Sequence, residues 1–131
     1  MFNFLKWIAI IVSSIVLAGA ANAQDITSSR TELKKADLTG TNMEVIISIV
    51  EAKPGAGLAR HIHPGEEAYY VLEGAALELP DGKQIPLPTG AASINLRDVP
   101  HAGFKVVGDK TLKLLTVHVV DKGKPMTEFV K

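Results

Sequence analysis

His61 and His63 stand two residues apart, and Glu67 follows them across a Pro64-Gly65 turn. On an extended chain successive side chains alternate faces, so both imidazoles project to the same side. Two same-side histidines a short step apart can share one ion. An antiparallel neighbour entered through Pro64-Gly65 sets its first side chains beside the last ones of the preceding strand. A carboxylate there adds an anionic oxygen to two nitrogens. Such a mixed set suits one divalent ion of Fe, Mn, Co, Ni, Cu or Zn and does not choose among them. A lone strand histidine is usually an ordinary strand residue. The pairing with a turn and a carboxylate is what marks these two as candidate ligands. Glu66 and Glu67 compete for the carboxylate role.

The elements that must position these residues read as short strands. Val45 to Val50 is a β-branched run that Pro54-Gly55 stops, and Leu58 to His63 ends at Pro64-Gly65. Ala68 to Leu72 and Ala76 to Leu79 follow, then the tight-turn dipeptide Asp81-Gly82 and a returning strand from Gln84 to Leu87. Ala91 to Asn95, His101 to Val107 and Thr111 to Val120 complete the set. The spacing of proline and glycine leaves little room for a helix. Strands of this spacing predict an all-β sandwich or barrel, and small antiparallel proteins hide their edges by closing into a barrel or a jelly roll.

The chain has 131 residues, enough for one domain. Lys6, the apolar run Trp7 to Ala18 and the small residues Ala21-Asn22-Ala23 have the layout of a secretory signal peptide, residues 1–23. The apolar run is short beside the roughly 20 residues of a membrane span. Residues 24–40 read as a polar leader with a short ordered end, and 41–131 as the domain. Fourteen basic residues meet fourteen acidic ones, with no Lys/Arg-rich run, which argues against nucleic acid or an anionic membrane as partner. The absence of cysteine removes disulfides, thiolate ligands and thiol nucleophiles. The expectation is a periplasmic or secreted protein with no stable membrane association after cleavage. It has one modest core, which a homodimer interface could supplement.

Gly55, His61, His63, Glu67 and Gly74 follow the order Gly, five residues, His-x-His, three residues, Glu, six residues, Gly. In this spacing the chain resembles the cupin family, in particular small single-domain members, including quercetin-dioxygenase-like ones. The resemblance covers roughly Glu44 to Pro125. It implies a jelly-roll barrel (a double-stranded β-helix) with a metal inside, held by two histidines, the glutamate and a later histidine. Counting back from Gly74 gives the ligand role to Glu67 and sends Glu66 outward. Tyr69 then shares a face with Glu67, either lining the cavity as a hydrogen-bond donor or packing in the core, and Tyr70 faces away.

The family's second motif is less well kept. Begun at Gly90, its histidine is His101, with Leu96, Asp98 and Lys105 where the motif has proline, glycine and asparagine. A rival register from Gly82 matches Pro88 and Gly90 but puts Ser93 at the histidine. That register consumes the Asp81-Gly82 turn and leaves too little chain after Gly74 for a hairpin, so His101 is preferred. Asp98 is tolerable at a turn glycine, because aspartate accepts unusual φ better than most residues.

His118, on an apolar strand with no ligand-type residue at ligand spacing, reads as a satisfied strand histidine or a cavity-lining group rather than a ligand. Arg60, Arg97 and Lys105 could meet an anionic substrate at the barrel mouth, with plain surface charge as the alternative. No Gly-x-Ser-x-Gly and no phosphate-cradling loop occurs. The resemblance implies a metal-dependent enzyme for a small oxygenated organic molecule, with Glu67 and Tyr69 as catalytic candidates. Dioxygenase-type cleavage comes first, and a lyase or isomerase acting through an enolate next. The rival is a non-catalytic metal- or ligand-binding module.

Overall fold

A computed structural model describes residues 28–131, so the expected signal peptide and the start of the leader lie outside the described residues. The strands are β1 (Ser29–Asp37), β2 (Met43–Ala52), β3 (Gly57–Leu58), β4 (His61–Ile62), β5 (Gly65–Glu73) and β6 (Ala75–Glu78). They continue as β7 (Gln84–Leu87), β8 (Ala92–Asn95), β9 (Phe104–Val107), β10 (Leu112–Asp121) and β11 (Glu128–Phe129). Among the described residues there is no helix. One sheet runs β1-β2-β10-β5-β8, a second runs β3-β9-β6-β7, and β11 pairs with β4. All pairings are antiparallel. This is the jelly roll expected from the sequence.

The interior changes character along its length, and the sequence of β10 shows why. Its inward row is Leu112, Leu114, Thr116, His118 and Val120, each buried. On β2 the inward row is Ala52, Val50, Ser48 and Ile46, and the register sets Leu114 against Val50 and Thr116 against Ser48. On β5, Val71 faces Leu114 while Glu67 faces His118. One end of the barrel is therefore an apolar core of residues such as Val50, Val71, Leu77, Val106, Leu112 and Leu114. The other end is polar and holds Ser48, Thr116, His118 and Glu67, all buried.

Three expectations change. The leader is partly a strand: Ser29–Asp37 forms β1, paired with β2 along its length. Every residue of β1 is exposed, so it leaves no burial pattern in the sequence and is held by its backbone ladder. The strand expected from Leu58 to His63 is broken, because β3 pairs with β9 whereas β4 pairs with β11. The strand expected from His101 begins only at Phe104, since Ala102 and Gly103 take positive φ of 59° and 81°. Gly65, at the start of β5, has no room for a Cβ, which would collide with the Val119 carbonyl.

The outer face of the larger sheet is apolar too. Ile47, Val117, Ala68 and Ile94 line up across four strands, and beside them Ile49, Leu115, Tyr70 and Ala92. Tyr70 and Ile94 are 47% and 61% exposed, so this is a water-facing hydrophobic patch.

Candidate metal centre

β4 and its exit present His61 and His63 inward, 8% and 1% exposed, with Ile62 between them turned aside. After the turn, β5 presents Glu67, which is 6% exposed, while Glu66 points out. The fourth residue arrives on the loop between β8 and β9. His101 bridges His61 through both backbone hydrogen bonds, at 3.1 and 3.0 Å. The same loop is fixed to the site where the Asp98 N–H donates to the His63 carbonyl at 3.1 Å. Asp98 has a φ of 59°, so it does fill a glycine-type turn position in the degraded second motif. Ser93, the rival, is exposed on β8.

The four candidate donor atoms of His61, His63, Glu67 and His101 lie within 4.8 Å of one another. His61 Nε2 and His63 Nε2 are 3.2 Å apart. Glu67 Oε2 is 3.3 Å from both His63 Nε2 and His101 Nε2. Bonds of about 2.0–2.1 Å to one ion separate neighbouring donors by roughly 3.0–3.4 Å, so these spacings fit a shared ion.

The hydrogen bonds behind the rings point the same way. The Nδ1–H groups of His61, His63 and His101 donate to the carbonyls of Ala59, Met126 and Val99, at 2.7, 2.5 and 2.9 Å. A carbonyl only accepts, so the proton sits on Nδ1 and the lone pair on Nε2. Lone pairs then face one another and the Glu67 carboxylate at close range. His101 Nε2 is buried with no hydrogen-bond partner among the described residues, a condition it shares with His118 Nε2. Acceptor facing acceptor in a buried site requires a cation between them, a proton or a metal ion. These residues could hold a metal ion.

The charges agree. Burial alone would raise the pKa of Glu67, but a proton presented to it by His101, His118 or His63 outweighs burial and holds the carboxyl far below the usual carboxylate range. Burial works against charging His101, yet Glu67 and the Val99 carbonyl raise its pKa above the ordinary 6.5. In His61 burial wins and lowers the pKa. Protons and metal compete for Nε2, so metal affinity should weaken as pH falls. Its decline should begin above pH 6.5, at His101, while His61 stays neutral to lower pH. Zinc titrations between about pH 8 and about pH 5 check this; a flat affinity across that range would contradict it.

Three contributors are invisible as spacing. Asn95 on β8 pairs with Glu67 and donates from Nδ2 to Oε2 at 2.8 Å. His118 has no histidine or carboxylate at ligand spacing along the chain, but the β10–β5 register sets it opposite Glu67, with Nε2 at 3.3 Å from Oε1. It stays outside the four-residue cluster. Arg30 Nη1 lies 3.5 Å from His118 Nδ1, which makes Nδ1 the acceptor and puts the His118 proton on Nε2, facing Glu67. This tautomer is opposite to that of the three candidate ligands. Arg30 comes from β1, the strand without a burial signal. Of the cations expected at the mouth, Arg97 is bound to Asp121 at 3.0 and 2.9 Å, while Arg60 and Lys105 are exposed.

Beside the cluster is a cavity of about 230 Å3. Its polar lining is Arg30, His61, Glu67, Tyr69, Asn95 and His101, and its apolar wall includes Leu77, Ile85, Leu87, Phe104 and Leu114. Tyr69 both lines this cavity and packs on the core, while Tyr70 faces out.

The cupin domain model matches residues 48–118, and the chain belongs to the cupin family. A solved structure of an uncharacterized conserved protein with a double-stranded β-helix domain from Klebsiella pneumoniae is 19% identical, with a TM-score of 0.60. That match covers 80% of this chain and 85% of the other. The polyketide cyclase RemF from Streptomyces resistomycificus is 29% identical at a TM-score of 0.55, covering 79% and 72%. The DMSP lyase DddQ from Ruegeria pomeroyi is 19% identical at 0.59, covering 95% and 60%. No curated protein matches the sequence.

Proposed function

We propose that this cupin is a metal-dependent enzyme acting on a small organic molecule bound in the cavity beside His61, His63, Glu67 and His101. The observation that carries this reading is the convergence of three imidazole Nε2 atoms and a carboxylate next to a ligand-sized space. When bound, a divalent ion would supply Lewis-acid polarisation of a ligand oxygen or a route to redox chemistry. The chain's own part is to keep Glu67 ionised, to fix the imidazole tautomers and to shield the site with an apolar wall. Tyr69 is the proposed hydroxyl donor to the bound molecule, and Glu67 the proposed second catalytic group.

Dioxygenase-type cleavage and proton-transfer chemistry through an enolate both suit this scaffold. The second is favoured by Tyr69 in the cavity and by the 29% identical polyketide cyclase. The test is to load the chain anaerobically with Fe, Mn, Ni or Zn and assay diketones and flavonols with and without oxygen. Turnover that needs no oxygen supports the proton-transfer reading, and oxygen uptake supports the dioxygenase reading. No turnover with any metal would leave a non-catalytic binding module.

On the same reading the chain is exported to the periplasm or beyond, on the strength of residues 1–23. A second copy is the proposed cover for the outer apolar rows of the larger sheet. Light scattering after gel filtration should return a dimer, and a monomer at micromolar concentration would remove that part.

A further inference from the structure

Arg30 carries a charge that its surroundings do not neutralise. β1 itself is exposed, but the guanidinium reaches inward to the cavity wall. Its Nη1 donates to Thr116 Oγ1 at 3.3 Å and approaches His118 Nδ1 at 3.5 Å, and both partners are neutral acceptors. Among the described residues no carboxylate forms an ion pair with it. Burial pushes its pKa down from the ordinary value and the charge of Glu67 pulls it back up; the group stays a cation. Glu67, the one acid of the cavity lining, would offset only half the charge of a divalent ion. Arg30 adds to that excess. A guanidinium on the cavity wall without an ion-pair partner has N–H groups left for an anion brought by the ligand.

We propose that the cavity takes a small organic acid, its carboxylate against Arg30 and its apolar part against the wall of Leu77, Ile85, Leu87, Phe104 and Leu114. This rests on the reading of the cavity as the ligand site of the metal centre. Arginine suits the task because its planar fork meets a carboxylate through two parallel hydrogen bonds. The cavity volume of about 230 Å3 is below the roughly 300–1,000 Å3 of sites for drug-sized ligands, so the acid is small. A neighbouring cavity of about 180 Å3 shares Arg30, Val50, Leu58 and His61 with it, which puts Arg30 where the two meet.

The test is calorimetric titration of the zinc-loaded chain with benzoate and hexanoate, against the uncharged benzamide and hexanamide. Wild type, Arg30→Met and Arg30→Lys are compared, and zinc stoichiometry is measured on each. The expected result is that wild type prefers the acids, and that Arg30→Met weakens acid binding about 10- to 100-fold and amide binding much less, so that the preference for the acid collapses. Arg30→Lys should keep part of the preference, and all three proteins should hold equal zinc. A methionine variant that binds acids as wild type does would overturn the proposal. So would equal binding of acid and amide by wild type, or no binding of any probe. Failure of wild type to take up zinc would instead defeat the metal reading, and the same titrations on the zinc-free chain would then decide Arg30.

Discussion

His63→Ala will abolish stoichiometric uptake of a divalent ion. His63 is the most buried of the four, 1% exposed, and its Nε2 stands between two other donors, His61 Nε2 at 3.2 Å and Glu67 Oε2 at 3.3 Å. Its ring is aimed by the Met126 carbonyl, which lies just ahead of β11. Altering a residue behind a ligand typically weakens metal binding by about 10–100-fold; loss of the ligand itself should exceed this. His61→Ala, nearer the rim at 8% exposure, should act in the same direction. Elemental analysis after dialysis, read beside circular dichroism, gives the answer. Full metal in the double variant would remove the site.

Glu67→Gln should also remove metal-dependent stability, and should do so while sparing the metal-free fold. In the wild type a carboxylate faces unprotonated nitrogens, an arrangement that needs a cation. The glutamine amide can donate to those nitrogens and so replaces the cation with a hydrogen bond. Asn95, which now donates to Oε2 at 2.8 Å, can flip to present its oxygen. An ion at 100 times its dissociation constant stabilises the wild type by about 2.7 kcal/mol. For a domain of this size that is on the order of 10 °C in Tm. In Glu67→Gln the shift should vanish, with the metal-free Tm close to that of the wild type. A full metal-induced shift in the variant would show that the carboxylate does not bind the ion.

The part of the site that lies within one short segment is legible in the amino-acid sequence. His61 and His63 share a face because side chains alternate along extended backbone, and Glu67 follows through a turn that needs no knowledge of distant strands. His101 is legible only through a degraded motif. Asp98 explains the degradation: at a φ of 59° it does the work of a glycine. The places of Arg30, Asn95 and His118 around Glu67 are hidden, for two physical reasons. Asn95 and His118 meet Glu67 through strand register, and pairings across 28 and 51 positions leave no trace in local spacing. The inward alternation Leu112, Leu114, Thr116, His118 does mark His118 as facing the interior, but not what it faces. Arg30 lies on a strand whose residues are all exposed, so no hydrophobic alternation announces it. The same absence hides β1 itself and makes it read as a leader.

The measurement closest to the central claim is a crystal structure of the metal-loaded chain, with anomalous scattering recorded at the absorption edge of the added ion. The predicted result is a single strong peak bonded through Nε2 of His61, His63 and His101 and through one carboxylate oxygen of Glu67. In that structure His118 should stay outside the coordination sphere, with its Nε2–H turned to Glu67. A peak elsewhere, ligation through Nδ1, or no peak at these four residues would contradict it.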